Sequence, residues 1–433
     1  MWTFLLGTIK GSSFSGTYNY LHPWFQKNKE APGPVDGYAT DLLRDRSLEF
    51  IDDGAQSEKP FFITIATVAP HASSNKGEDG DGEDADLQSD NDRGLDTSKG
   101  HPPIPAPRHK DLFSNIKIPD SKNFNPDKAS GASWVKDLKK HDDDVVKYFH
   151  SYYRARLQAL QAVDELVDRV IDRLRHHNEL DNTYIIYSSD NGFHIGQHRL
   201  PPGKRCPYEE DINIPLIIRG PQVARGAKSH LATSHTDIVP TILHWAGVEA
   251  PKDLDGKVIP TSQQPDSLAG WEHTQVEHWG IGKKPRNKHY KRPFSTYKAV
   301  RVMGEGYNLF YSIWCTNEHE VYDMVTDPAQ MENLYDKHNA NIKIGGQNVG
   351  LKQLVTRLDT LLLVLKDCKG QECRTPWASL HPQGDVKNLG DALRTEFDDF
   401  YASKQKRIEF ERCTEGYSPD MEGGWGFKTF EGR

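Results

Sequence analysis

The chain has 433 residues, an apolar fraction of 36% and a formal net charge of -8. That length supports one large core or two, and a pI near 6.2 excludes the basic face of a nucleic-acid binder. No run is long enough to span a bilayer, and five cysteines are too few for a disulfide scaffold, the odd count leaving at least one outside any bridge.

Residues 1–7 form a brief apolar patch with no basic region before it, a poor signal peptide, so the chain reads as entering mid-domain. No Asn-x-Ser/Thr acceptor occurs, which disfavours a heavily processed secreted form. Residues 16–28 are aromatic and turn-rich. A helix follows over 41–51, with Leu42, Leu43, Leu48 and Ile51 toward a core, and Lys59-Pro60 ends it. Residues 61–68 read as a buried strand that delivers Pro70-His71 to its carboxyl end. Between 73 and 100, nine acidic residues stand against Lys76, Arg93 and Lys99, the composition of a disordered, solvated insertion. No calcium loop with its closing Glu is spaced there. His101 to Pro105 is a rigid connector. Residues 145–177 carry the strongest helical period, with Leu157, Leu160, Val163, Val167, Val170, Ile171 and Leu174 on one face.

That helix feeds the stretch on which the reading turns, residues 183–221. Tyr184-Ile185-Ile186-Tyr187 is a short strand that stops at Ser188-Ser189-Asp190-Asn191-Gly192. A carboxylate and a carboxamide side by side at a strand end suit a hard cation, and Gly192 permits the sharp turn away from them. Standing alone, such a triplet is most often a plain turn. Here His194, His198, Lys204 and Arg205 follow on a Gly- and Pro-interrupted loop before a second strand over 214–219, so that cations and a metal converge on one anion. Beyond it lie a helix opening at His235-Thr236-Asp237, with Asp237 favourable at its amino end, and a polar join over 251–292. Apolar runs at 297–303, 307–314 and 320–324 suit an antiparallel meander, a helix over 351–365 packs on it, and the tail from Asp367 is irregular. Strand, helix, strand, loop, strand is the order of a mainly parallel sheet flanked by helices, an α/β fold.

The order Ser-Asp-Asn-Gly, His-Ile-Gly, Lys, Tyr-Glu, Pro-Leu-Ile-Ile-Arg-Gly-Pro resembles the sulfatases, and within them the fungal arylsulfatase branch near the N-acetylglucosamine-6-sulfatases. Ala69-Pro70-His71, Ser234-His235-Thr236-Asp237, Leu254-Asp255-Gly256 and Glu320-Val321-Tyr322-Asp323 extend the likeness over nearly the whole chain. The resemblance implies an alkaline-phosphatase-like fold, truncated at its amino end, over residues 1–250, a connector over 251–292, and a smaller C-terminal antiparallel sheet over 293–433. It implies calcium held by Asp190 and Asn191, weakly if upstream ligands are missing. It further implies Lys204 and His71 on the sulfate ester, with His194 also placed to contact the anion. Arg108 to Phe113 resembles the family's cleft loop, and Cys368 and Cys373, close enough for a small loop bridge, resemble a C-terminal feature of the fungal enzymes.

The implied substrate is a small sulfate ester, aryl or sugar, with no nucleic-acid or membrane partner, although intact members often enter the secretory pathway. The family's nucleophile is a formylglycine made from the Cys of Cys-x-Pro-x-Arg. None of Cys206, Cys315, Cys368, Cys373 and Cys413 begins that motif, and Asp52-Asp53 and Asp398-Asp399 lie in the wrong context for the family's upstream metal pair. The sequence shows neither a zinc-ligand spacing of His and Cys nor a His-Asp relay that would mark Cys206 as a thiol nucleophile. The readings are thus a sulfuric ester hydrolase of arylsulfatase type whose activity as this chain is in question, or a non-catalytic anion-binding remnant. A phosphoester hydrolase of the wider superfamily would need a second set of His and Asp ligands that is not found.

Overall fold

A computed structural model describes residues 18–73, 101–261, 270–280, 295–337, 339–414, 416–424 and 426–431. The amino-terminal patch, nearly all of the acidic segment and part of the join over 251–292 lie outside the described residues. In chain order the elements are β1 (Trp24–Phe25), β2 (Gly33–Pro34), α1 (Ala39–Ala55), α2 (Ser133–Lys136), α3 (Asp143–His176), β3 (Ile185–Tyr187), α4 (Glu209–Ile212), β4 (Ile217–Arg219) and α5 (Ile238–Trp245). There follow β5 (His273–His278), β6 (Tyr297–Gly304), β7 (Tyr307–Trp314), β8 (His319–Asp323), β9 (Asn341–Ile344), β10 (Gln347–Gly350) and α6 (Leu351–Leu365), then the short α7 (Gln371–Arg374), α8 (Pro376–Leu380) and α9 (Leu389–Ala392). None of the described helices is long and apolar enough to cross a membrane.

The described residues fall into two compact units, the first drawn from Met1–Asp120, His141–Ile186 and Ile218–Pro221. Its long helix α3 starts where Asp142 accepts hydrogen bonds from the backbone of Asp144 and Val145, and Arg173, Arg175 and His176 occupy its last turn, both ends complementing the helix dipole. The buried face includes Ala159 and Ala162, small enough for Tyr20, Tyr38 and Ala106 to pack close. Helix α1 lies against α3. Asp52 fastens the two, taking Arg173 Nη1 at 2.6 Å and His177 Nε2 at 2.7 Å. Arg108 bridges Asp41, at 2.6 and 2.8 Å, and Glu165.

Strands β3 and β4 pair with each other. Gly220 follows β4 because a Cβ there would lie 2.3 Å from the Tyr184 ring. The strand expected over 61–68 is not formed. Its residues alternate outward, Phe62 being 73% exposed, and no described strand is hydrogen-bonded to it. The flanked sheet expected for this part therefore amounts, among the described residues, to the β3–β4 pair.

The second unit is drawn from Ser121–Lys140, Tyr187–Ile217 and Gln222–Arg433. Its frame is the antiparallel sheet β5-β6-β7-β8. The inward residues Val300, Val302, Leu309, Tyr311, Ile313 and Val321 meet Leu354, Leu358, Leu361 and Leu362 of α6. Helix α6 is buried almost all round, its leucines together with Thr356, Arg357, Asp359 and Thr360. The charges it buries are paired. Arg357 bonds the Ala392 carbonyl at 3.0 Å and Asp398 at 2.5 Å, and Asp359 accepts from Tyr311 Oη at 2.8 Å.

Two strand pairings go beyond the expected meander. β5 is an edge strand whose alternating polar sequence, His-Thr-Gln-Val-Glu-His, carries no apolar run. β9 and β10 form a hairpin on Gly345 and Gly346, at φ of 55° and 83°, which the two-residue turn demands. Disulfides join Cys315 to Cys413 and Cys368 to Cys373.

Segment 187–217, expected within the first domain, belongs to this second unit. Tyr208 Oη donates to Glu320 at 3.2 Å, Tyr297 Oη to the Cys206 carbonyl at 3.2 Å, and the Glu209 amide to Gln330 at 2.8 Å, while Arg301 forms an ion pair with Glu209.

Candidate functional site

After β3 the backbone turns through Ser188 and Ser189, and Asp190 and Asn191 present their side chains at the surface of the second unit. The turn is held from several sides. Ser188 Oγ donates to the Pro215 carbonyl at 2.9 Å, the Asn191 amide to Asp190 Oδ1 at 3.0 Å, and His235 Nε2 to the Ser189 carbonyl at 2.9 Å. Gly192 must be glycine. Its amide bonds the Asp211 carbonyl at 2.8 Å, and a Cβ would sit 1.9 Å from the Glu210 carbonyl oxygen. An isolated antiparallel bridge, His194 to Gly203 at 2.9 and 3.0 Å, then closes the loop and sets Lys204 down beside the turn.

Lys204 Nζ donates to Asn191 Oδ1 at 2.8 Å and lies 3.8 Å from Asp190 Oδ2. Two oxygens of the kind a hard cation takes are thus already gathered around one positive charge, the ammonium standing where a divalent ion would draw them together. The donor set fits a calcium- or magnesium-type ion but supplies two of the six to eight oxygens that calcium takes. The Asp190 side chain is 83% exposed and that of Lys204 31%, so both are open to an incoming anion or ion.

The loop's underside is packed and polar. The His198 ring stacks on Tyr208 at 4.1 Å and bonds Ser130 Oγ at 2.9 Å; burial pushes its pKa down to about 3, so it is neutral. Glu210, whose Oε1 accepts from Asn123 at 2.8 Å, has its pKa raised by burial. Asp237 caps its helix by accepting from the Ser234 and Lys257 amides at 2.9 and 2.7 Å, which makes it structural, as its place in the sequence suggested.

His194 is not set to meet an anion. It is 4% exposed, and its Nδ1 lies 2.7 Å from Asp211 Oδ1, whose other oxygen accepts the Cys206 amide at 2.8 Å. The loop doubles back at Gly203 and brings Asp211 under His194, so burial and a carboxylate partner claim the imidazole. The His-Asp pair that the sequence did not reveal therefore exists, with Cys206 beside it.

His71 belongs to the first unit. Its Nδ1 donates to the Ala72 carbonyl at 2.9 Å, its ring stacks on Tyr18 at 4.0 Å, and Tyr20 Oη donates to its carbonyl at 2.7 Å. Arg156 Nη1 holds the Pro70 carbonyl at 2.9 Å. Asp52 and Asp398 are engaged by Arg173 and Arg357, so neither acidic pair stands ready as a second metal pair.

Sequence reasoning missed His235 and Asp211. Each had a signal: His235 sits in the quoted Ser-His-Thr-Asp stretch, and Asp211 ends the acidic run that follows Tyr208.

Comparison with known proteins bears on the whole arrangement. A family profile described as Sulfatase matches residues 8–248, and one described as N-sulphoglucosamine sulphohydrolase, C-terminal, matches residues 196–355. The chain is 40% identical over 387 residues to the sulfatase ppz1 of Metarhizium majus, covering 89% of this chain and 79% of that protein. It is 34% identical to an arylsulfatase of Volvox carteri, covering 89% of this chain and 60% of the relative. With the N-acetylglucosamine-6-sulfatase of Bos taurus it shares 30% identity, over 87% of this chain and 63% of the relative. The chain thus spans less than two thirds of the algal and bovine proteins. A solved structure of a protein in complex with its substrate D-glucosamine-2-N,6-O-disulfate superposes with a TM-score of 0.57 at 23% identity, over 76% of this chain and 71% of that one, which shows the fold. With a profile over more than half its length, relatives at 30–40% identity and the alkaline-phosphatase-like fold of its structural neighbours, the chain belongs to the sulfatase family.

Proposed function

We propose that the chain serves sulfuric ester hydrolysis of the arylsulfatase type, on an aryl or sugar sulfate monoester, with Asp190 and Asn191 holding calcium. Lys204 faces the sulfuryl oxygens. The observation that carries this reading is the convergence of Lys204 on Asn191 and Asp190, at 2.8 and 3.8 Å. A bound divalent cation would supply a fixed positive field for charge developing on the sulfuryl oxygens. The protein's own part is to place an ammonium against the same anion and to keep the turn rigid through His235 and Gly192.

The nucleophile is a separate matter. Four of the five cysteines are in disulfides, the fifth, Cys206, is buried, and none begins Cys-x-Pro-x-Arg. This favours a second reading for these 433 residues taken alone: they bind the ester and the cation without turning the ester over. Hydrolysis of 4-nitrocatechol sulfate in calcium, measured beside calorimetric binding of 4-nitrophenyl sulfate, decides between them. Turnover above that of Lys204→Ala establishes hydrolysis by this chain; binding without turnover establishes the second reading; neither binding nor turnover overturns both. Lys204→Ala is expected to weaken ester binding roughly tenfold, the scale of one charge-assisted hydrogen bond. The same change should strengthen calcium binding, because the competing ammonium is gone. Asp190→Asn should weaken calcium binding.

A further inference from the structure

The loop that carries Lys204 also gathers three groups that the ester chemistry does not use. An imidazole nitrogen of His194, the thiol of Cys206 and a carboxylate oxygen of Asp211 lie within 4.8 Å of one another, each residue only 4% exposed. Tetrahedral zinc with bonds of about 2.0–2.3 Å sets its ligand atoms roughly 3.3–3.6 Å apart, so the side chains must draw in by up to about an ångström around the ion. His194 and Asp211 are already hydrogen-bonded to each other, Nδ1 to Oδ1 at 2.7 Å, so an entering ion replaces that hydrogen bond with bonds to both groups and to the Cys206 thiol.

We propose that His194, Cys206 and Asp211 form a buried transition-metal site, of zinc type, that staples the loop from residue 194 to residue 211. The sulfur and nitrogen donors select a borderline-soft ion, whereas the exposed oxygens of Asp190 and Asn191 select a hard one. One loop thus carries two cation sites of different chemistry. On binding, the thiol proton leaves to solvent and a metal–sulfur bond forms, one proton released for each ion bound. The staple lies beneath Lys204: the His194–Gly203 bridge precedes that residue directly, and Cys206 follows it by two positions. Site and staple are independent of whether the chain hydrolyses an ester.

The test uses the whole chain, stripped with 1,10-phenanthroline and titrated with cobalt(II). The expected result is one equivalent bound with a thiolate-to-cobalt charge-transfer band, bleached by stoichiometric zinc, untouched by excess calcium and retained in Asp190→Asn. With the other four cysteines in disulfides, the band has one source. Cys206→Ser should abolish it, and Asp211→Asn should weaken binding at least tenfold. X-ray absorption of the zinc-loaded wild-type chain needs no variant and should show one sulfur neighbour at about 2.3 Å. Cobalt bound without the band, a band that survives in folded Cys206→Ser, or a zinc shell without sulfur overturns the proposal.

Discussion

Glu320 illustrates how one residue ties the loop to the sheet. It is fully buried on β8 and accepts from Tyr208 Oη at 3.2 Å. Burial raises its pKa to about 8, so the folded protein keeps the carboxyl protonated well above the range in which the unfolded chain releases the proton. The sign follows directly. Between the ordinary carboxyl pKa and about 8 the folded state binds more protons than the unfolded one, so the stabilisation is complete at acid pH and is lost as the pH rises toward 8. Denaturant titrations at pH 5 and pH 8 should therefore show a loss of stability on the alkaline side, and Glu320→Gln should flatten that slope; an unchanged slope in the variant would remove Glu320 from the account. Gly192 and His235 act at the same scale by simpler means, one by lacking a side chain where the Glu210 carbonyl approaches, the other by holding the Ser189 carbonyl.

Among the elements, α6 and α3 show two ways of stabilising a helix. α3 is amphipathic and capped, and ion pairs on its surface hold α1. α6 has no side-chain cap and is sustained by burial, with Leu354, Leu358, Leu361 and Leu362 fully inaccessible. Leu361→Ala should cost about 3 kcal/mol in chemical denaturation, the range for an aliphatic side chain deleted from a packed core. The period of α3 and the apolar run of α6 were both visible in the residues, and α6 spans the expected 351–365. β5 was not visible, because an edge strand half covered by its neighbour needs no apolar run. The failure at 61–68 has the opposite cause: its composition suits a strand, yet a strand forms only where another offers a ladder.

At the scale of the whole molecule, the Cys315–Cys413 disulfide closes the longest covalent loop, with a sequence separation of 98. Constraining so long a segment of the unfolded chain stabilises the fold by about 4.7 kcal/mol in the chain-entropy model, against roughly 2 kcal/mol for Cys368–Cys373, separated by 5 residues. Paired Cys315→Ser and Cys413→Ser substitutions should lower the denaturation midpoint well beyond the Cys368→Ser and Cys373→Ser pair; equal effects would show that loop length does not govern them. The short bridge had a legible cue in its spacing. The long one had none, since two cysteines that far apart meet only when β7 and the tail are folded together.

The sequence by itself determined the order of motifs on which the likeness to the sulfatases rests, and the order Asp190, Asn191, Gly192, Lys204, because residue types and their succession are written along the chain. Tertiary structure alone decided which side chains those groups meet. It brought Lys204 to Asn191, turned His194 inward to Asp211 and set Cys206 beside them. The reason is physical: a loop's residue types state what chemistry is available, whereas burial and partners depend on how the chain returns upon itself, here at the His194–Gly203 bridge.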